Sequence, residues 1–172
     1  DIKNKLIKIR SNKNKIFFFG NGASASFANH MALDFSKNGE ILSRSLSDNA
    51  LLSALSNDYS YEEAMTEFLK IEKVEENDLV ITISSSGNSS NILNVLNFCK
   101  KNKITSLALS GLKRNNKSIS LAEYSLYVPM RTYGIVECIH QIFLHLFLDE
   151  SMDISEWNMD YHQNMNSKEF KL

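Results

Sequence analysis

Along the chain, short unbroken apolar runs alternate with stretches in which apolar residues recur every three or four positions, a pattern that predicts buried strands separated by helices. Residues 16–19 (IFFF) form the first run, stopped by Gly20, as expected of a strand covered on both faces. From residue 24 to 37, Phe27, Met31, Leu33 and Phe35 mix with Ala25, Ala28 and Ala32, which predicts a tightly packed helix. Residues 41–46 alternate and are expected to form a second strand, and Asp48 can cap the helix beginning NALLSAL. A helical pattern covers 61–74. Residues 79–83 (LVITI) are again a β-branched run, ending in SSSGNSS, after which Ile92, Val95, Leu96 and Cys99 fall at helical spacing. Two more strands are expected at 104–109 and 124–128, the second closed by Pro129, before a long helix from about 133 to 148.

Strands alternating with helices predict an α/β fold, a doubly wound parallel sheet flanked by helices in three flavodoxin-like or Rossmann-like layers. Ligands of such sheets bind outside the carboxyl ends of the strands, and both the glycine-rich and the serine-rich loop lie at such ends. A chain of 172 residues suits one domain, expected over 1–150, with 151–172 as a C-terminal arm or tail. Because the chain opens on Asp1 rather than Met, it is expected to be a fragment.

Charge and cysteine content narrow the partners. Nineteen basic against twenty acidic side chains give a net charge of −1, which offers no bulk field for nucleic acid. No run of eighteen apolar residues suggests a membrane span, and the polar, basic first fifteen residues are unlike a signal peptide. Cys99 and Cys138 sit in apolar helical patterns far from any metal spacing, so both are expected to be reduced core thiols of a cytoplasmic protein.

Two loops and two helices hold the candidate chemistry. Residues 84–90 lie between a buried strand and a helix, where serine hydroxyls, backbone N–H groups and the helix dipole can hold a phosphate. The loop lacks the lysine of a nucleotide-triphosphate loop, and an ordinary polar turn with Ser89 as N-cap is the plainer alternative. The segment 20–24 (GNGAS) lacks the third glycine of a dinucleotide fingerprint, because position 25 is alanine. The helix after it carries His30 and Asp34 one turn apart on one face. The last helix is apolar almost all round and is therefore expected to be buried, yet Glu137, Gln141 and His145 recur every four residues. A buried carboxylate needs a cation, a metal or a cleft, so that stripe is either a functional surface or an inter-helix polar network. His140 lies beside the stripe and is expected to be a packing histidine.

Together these segments resemble the SIS (sugar isomerase) domain, specifically the phosphoheptose (sedoheptulose 7-phosphate) isomerase family, over about residues 16–148. GNGASASFANHMALD is similar to the family's glycine-loop segment, ISSSGNSSNIL to its serine loop, and ECIHQIFLH, more weakly, to a segment near its C-terminus. The resemblance implies that Ser84, Ser85, Ser86 and Ser89 hold the phosphate, that Asn21 and Ser24 line the sugar, and that Asp58 of the Asn57-Asp58 pair faces the substrate. It places His30, Asp34, Glu137 and His145 where the family has His, Glu, Gln and His, a set that binds zinc in some members. No nucleotide cofactor is implied.

The implied activity is aldose–ketose isomerisation of sedoheptulose 7-phosphate or a related ketose phosphate, serving heptose synthesis for lipopolysaccharide or capsule. The alternative is a non-catalytic SIS module, a sugar-phosphate sensor or a replication-initiation scaffold. Four positions depart from the family pattern: Asp34 for Glu, Glu137 for Gln, Asn38 for Arg and Gly134 for Asp. Either Asp34 or Glu137 is then expected to be the base, with His145 its partner. Family members are generally homotetramers with an N-terminal helix that contributes to assembly. With little before Ile16, this chain is expected to have lost that helix, to have it outside this sequence, or to replace it with the tail around Trp157, Tyr161 and Phe170.

Overall fold

A computed structural model describes residues 2–154. Five parallel strands, β1 (Ile16–Gly20), β2 (Ser43–Ser45), β3 (Leu79–Ser84), β4 (Thr105–Ser110) and β5 (Tyr124–Tyr127), pair in the order β2-β1-β3-β4-β5. Among the described residues seven helices surround them: α1 (Ile2–Asn12), α2 (Ala23–Lys37), α3 (Asn49–Asp58), α4 (Tyr61–Ile71), α5 (Ser90–Lys101), α6 (Lys117–Leu121) and α7 (Tyr133–Ser151). The expected doubly wound, three-layer architecture is what forms.

Side-chain alternation sorts the core into two halves. Ile16 and Phe18 of β1, with Ile81, Ile83, Leu107 and Leu109, pack under α1, α2 and α7. Phe17, Phe19, Val80 and Ala108 face the other way, toward α3, α4 and α5. All four side chains of the IFFF run are essentially inaccessible, and each buried aromatic removes enough apolar area from water to contribute about 1.5–3 kcal/mol.

Strand order reverses between β1 and β3, which lie side by side with Gly20 opposite Ile83. The glycine loop after β1 and the serine loop after β3 therefore flank one crevice, the place where open parallel sheets bind ligands. Gly20 is required there, because a Cβ on it would come within 2.5 Å of the Ser24 backbone. That contact sets how closely α2 starts against the strand.

Three expectations change. The polar N-terminal segment, read as offering little before Ile16, folds as α1, with Leu6 and Ile9 buried and Ile2 partly so. Those three residues sit at helical spacing but are diluted by lysine and asparagine, and burial against α7 decides their state. Ion pairs from Lys3 to Glu150 at 2.7 Å and from Arg10 to Glu40 at 2.8 Å lie at its exposed edge. Second, α7 is not buried all round: Val136, His140, Leu144 and Leu148 face inward, whereas Ile135, Ile142 and Leu146 are about half exposed. Third, Cys138 shares that outward face and is exposed, while Cys99 is the buried thiol, its ionisation pushed up to about 12 by burial. The expected arm over 151–172 lies, from 155 onward, outside the described residues.

Candidate active site

The serine loop is built as a braced cradle. Gly87 adopts φ +61 and its N–H bonds back to both the Ser84 carbonyl and the Ser84 hydroxyl, at 3.0 and 3.2 Å. The start of α6 holds the loop from behind, with Ser118 N donating to Gly87 O and Lys117 N to Asn88 Oδ1, each at 3.0 Å. Buried Asn116 anchors that segment by donating to Ser110 Oγ and Lys113 O. Ser84 and Ser85 are buried and Ser86 and Ser89 half-buried. Among the described residues Ser85 Oγ has no partner. Ser89 does occupy the N-cap of α5, but its hydroxyl makes no capping bond. It is therefore not spent as the plainer turn reading would have it. The first amides of α5 also lack helical acceptors, as at every helix start.

In the glycine loop, Ser24 is buried and Asn21 half-buried. Asn21 is paired with Asn91 of α5 and with Tyr61 of α4. Asp58 ends α3 as an exposed carboxylate accepting from Asn57 Nδ2 at 3.0 Å, three residues before Tyr61. Sequence reading missed Asn91, Tyr61 and Asn116. Asn91 stood inside the serine-loop motif and could have been found there, but nothing local marks the other two.

The second part of the site lies between α2 and α7. His30 Nε2 is 3.2 Å from Asp34 Oδ2, and the rings of His30 and His145 meet edge to face with centroids 5.4 Å apart. One donor atom from each of His30, Asp34 and His145 lies within 4.8 Å of the other two. Asp34 is largely enclosed, at 16% exposure of its side chain, and His30 is open at 47%. Gln141 Nε2 lies 2.8 Å from His145 Nε2. The Gln141 amide thus orients the His145 ring, as acceptor or donor according to the tautomer.

Glu137 is the one member of the expected tetrad that the structure does not bring into this group. It lies eight residues before His145 on α7, about 12 Å along the axis at 1.5 Å per residue. Among the described residues it is half-buried and without a polar partner. Asn38 caps the C-terminus of α2, and Gly134 lies in the first turn of α7, among the described residues with open space where a Cβ would stand.

His140 is fully buried, with Nε2 3.2 Å from the Ser110 carbonyl and Nδ1 unpartnered. It pins α7 to the end of β4, as a packing histidine would. Burial holds its pKa below the ordinary histidine value, opposed only by the Ser110 contact. The unfolded chain thus takes up this proton at higher pH than the folded one, and stability contributed by neutral His140 is lost as pH falls below about 6.5. Thermal melts at pH 7.5 and 5.5 are expected to show a larger drop for the wild type than for His140→Gln. Equal drops would contradict this assignment.

Could the α2–α7 group hold a metal? Two donors of a tetrahedral zinc at about 2.0–2.1 Å stand roughly 3.3 Å apart, close to the His30–Asp34 separation. Three protein donors leave a coordination position open, as catalytic zinc requires, and the buried, unpartnered Gln141 Oε1 beside them is an oxygen still to be satisfied. The residues fit.

Comparison with known proteins gives a consistent picture. The SIS domain family model matches residues 4–111. The phosphoheptose isomerase of Aneurinibacillus thermoaerophilus is 34% identical over 157 residues, covering 84% of this chain and 75% of that protein. Phosphoheptose isomerase 2 of Campylobacter jejuni is also 34% identical, over 148 residues, with 83% and 73% covered. Among solved structures, a phosphoheptose isomerase from Neisseria gonorrhoeae superposes with a TM-score of 0.82 at 24% identity, covering 88% of this chain and 83% of the other, a likeness of fold. Among the described residues, no helix is long and apolar enough to cross a membrane.

Proposed function

This chain belongs to the phosphoheptose isomerase family of SIS-domain proteins, and on that premise we propose that it interconverts sedoheptulose 7-phosphate, or a related ketose phosphate, with its aldose. The observation that carries this reading is the contact of Asp34 and His145 through His30, a carboxylate and imidazoles grouped between α2 and α7. Aldose–ketose isomerisation needs a base for the proton α to the carbonyl and an acid at the carbonyl oxygen. Asp34 removes the C1 proton of the ketose while His145 gives a proton to the C2 oxygen, forming the enediol. Return of a proton to C2, with loss of the O1 proton, yields the aldose. Ser84, Ser85, Ser86 and Ser89 hold the phosphate, Asn21, Ser24 and Asp58 face the sugar, and water is kept from the enclosed Asp34. The product suits synthesis of surface-glycan heptose, in lipopolysaccharide or capsule. A panel of ketose phosphates with product identification tests the reading. Turnover of none, with binding retained, would make the chain a sugar-phosphate sensor instead.

In the alternative arrangement, in which these groups serve as ligands in place of base and acid, His30, Asp34 and His145 would hold zinc, which when bound would polarise a substrate oxygen. Protein purified without chelator is expected to carry about one zinc per chain and to lose it in the His30→Ala variant, by elemental analysis. Metal-free protein that is fully active would remove this part.

The chain works in the cytoplasm as a homo-oligomer, a tetramer on the family resemblance. Supporting this, Ile135, Ile142 and Leu146 on α7 and Leu33 on the adjoining α2 are exposed apolar residues. Asp34 also stands eleven residues along α2 from Ala23, about 16 Å from the glycine loop at 1.5 Å per residue. A site completed by a neighbouring subunit spans that distance. Ile142→Asp with Leu146→Asp is expected to shift the protein to monomer in sedimentation, and an unchanged oligomer would place the interface elsewhere.

A further inference from the structure

Three side chains close a hydrogen-bond set across the crevice between the two loops. Asn21 Nδ2 donates to Asn91 Oδ1 at 3.0 Å, and Asn91 Nδ2 returns a bond to Asn21 Oδ1 at 2.8 Å. The Tyr61 hydroxyl donates to the same Asn21 Oδ1 at 2.8 Å, and Ile92 N donates to Asn91 Oδ1 at 2.9 Å. A side-chain amide offers two lone pairs on oxygen and two hydrogens on nitrogen. Both lone pairs of Asn21 and both of Asn91 are therefore taken, and each amide nitrogen keeps one N–H.

Rotating either amide by half a turn would set oxygen against oxygen and nitrogen against nitrogen. The pair accordingly fixes which way Asn21 points, and buried Asn91 cannot exchange these bonds for water. Tyr61 is half exposed, so its hydroxyl could be satisfied by solvent. Its bond to Asn21 is not needed to bury the tyrosine. What the bond does is occupy the last acceptor site of the loop amide.

We infer that Tyr61 and Asn91 are positioning residues that make Asn21 a hydrogen-bond donor only, able to meet an acceptor oxygen of the bound sugar and unable to accept from a sugar hydroxyl. The inference rests on the isomerase reading for the identity of the ligand. Because Asn91 lies in the first turn of α5, the same pair also holds the sugar-lining loop at a set distance from the phosphate loop.

The test is kinetic, on the full chain with sedoheptulose 7-phosphate. Tyr61→Phe is expected to raise KM about three- to tenfold, the worth of one hydrogen bond, with kcat little changed. In an Asn21→Ala background the same change should have no further effect, since Tyr61 acts through Asn21. Asn21→Asp, which turns the remaining donor into an acceptor, is expected to bind more weakly than Asn21→Ala. Multiplicative effects of Tyr61→Phe and Asn21→Ala, or Asn21→Asp binding as well as wild type, would overturn the inference while the isomerase reading stands. Wild-type protein that neither binds nor converts the sugar would defeat that reading instead. The amide pair is then judged by ligand-free thermal melts of Asn21→Ala, Asn91→Ala and the double variant: non-additive losses support it and additive losses overturn it.

Discussion

Asp34→Asn is expected to lower turnover of the ketose phosphate by about 10²- to 10⁴-fold, the usual worth of a positioned general base, with KM and melting temperature little changed. Asparagine keeps the shape and one oxygen toward His30, so the 3.2 Å contact survives while the basic oxygen is lost. Glu137→Gln is expected to keep most activity, because Glu137 stands two helical turns from His145 and outside the group. The reverse pattern would transfer the base to Glu137, and full activity in both variants would remove carboxylate catalysis from this site. A shortened carboxylate in the family's position raises the question of reach, since about 1 Å of misplacement can cost 10²-fold. Here α2 and α7 approach closely enough for the His30 and His145 rings to meet edge to face beside Asp34.

The second large effect is expected at Gly87. Its φ of +61 costs a residue with a side chain about 1–2 kcal/mol, and a Cβ there would also run into the Asn116 amide and the Ser118 hydroxyl. Those two groups are bonded to each other behind the serine loop, and Ser118 N donates to Gly87 O, so Gly87→Ala cannot relax without moving them. A rise in KM of about tenfold or more and a loss of stability of about 1–3 kcal/mol are expected, measured by initial rates and thermal melts. An unchanged KM would mean that the loop does not hold the ligand's phosphate.

Much of this was legible along the chain because parallel strands are covered on both faces and so read as unbroken apolar runs. The runs at IFFF and LVITI mark β1 and β3 nearly to the residue, and with them the crevice between two polar loops. Helix α1 was not legible: Ile2, Leu6 and Ile9 are too few among lysines and asparagines to outweigh a polar appearance until α7 covers them. Nor was the outward face of α7, since periodicity reports that residues are apolar and not what lies against them. The site divides in the same way. His30 and Asp34 are one turn apart and could be paired by spacing, as could Gln141 with His145. The bonds between Asn21, Asn91 and Tyr61 join residues 40 and 70 positions apart, and only the assembled sheet brings them together. Glu137 shows the limit of stripe reasoning: a shared helical face does not bring groups two turns apart to one point.

Proton NMR of the purified protein with sedoheptulose 7-phosphate tests the central claim most directly. Aldose 7-phosphate signals are expected to grow in, and the same equilibrium mixture should be reached when the aldose is supplied instead. A ligand that binds, shifts the protein's resonances and stays unconverted from both sides would contradict an isomerase.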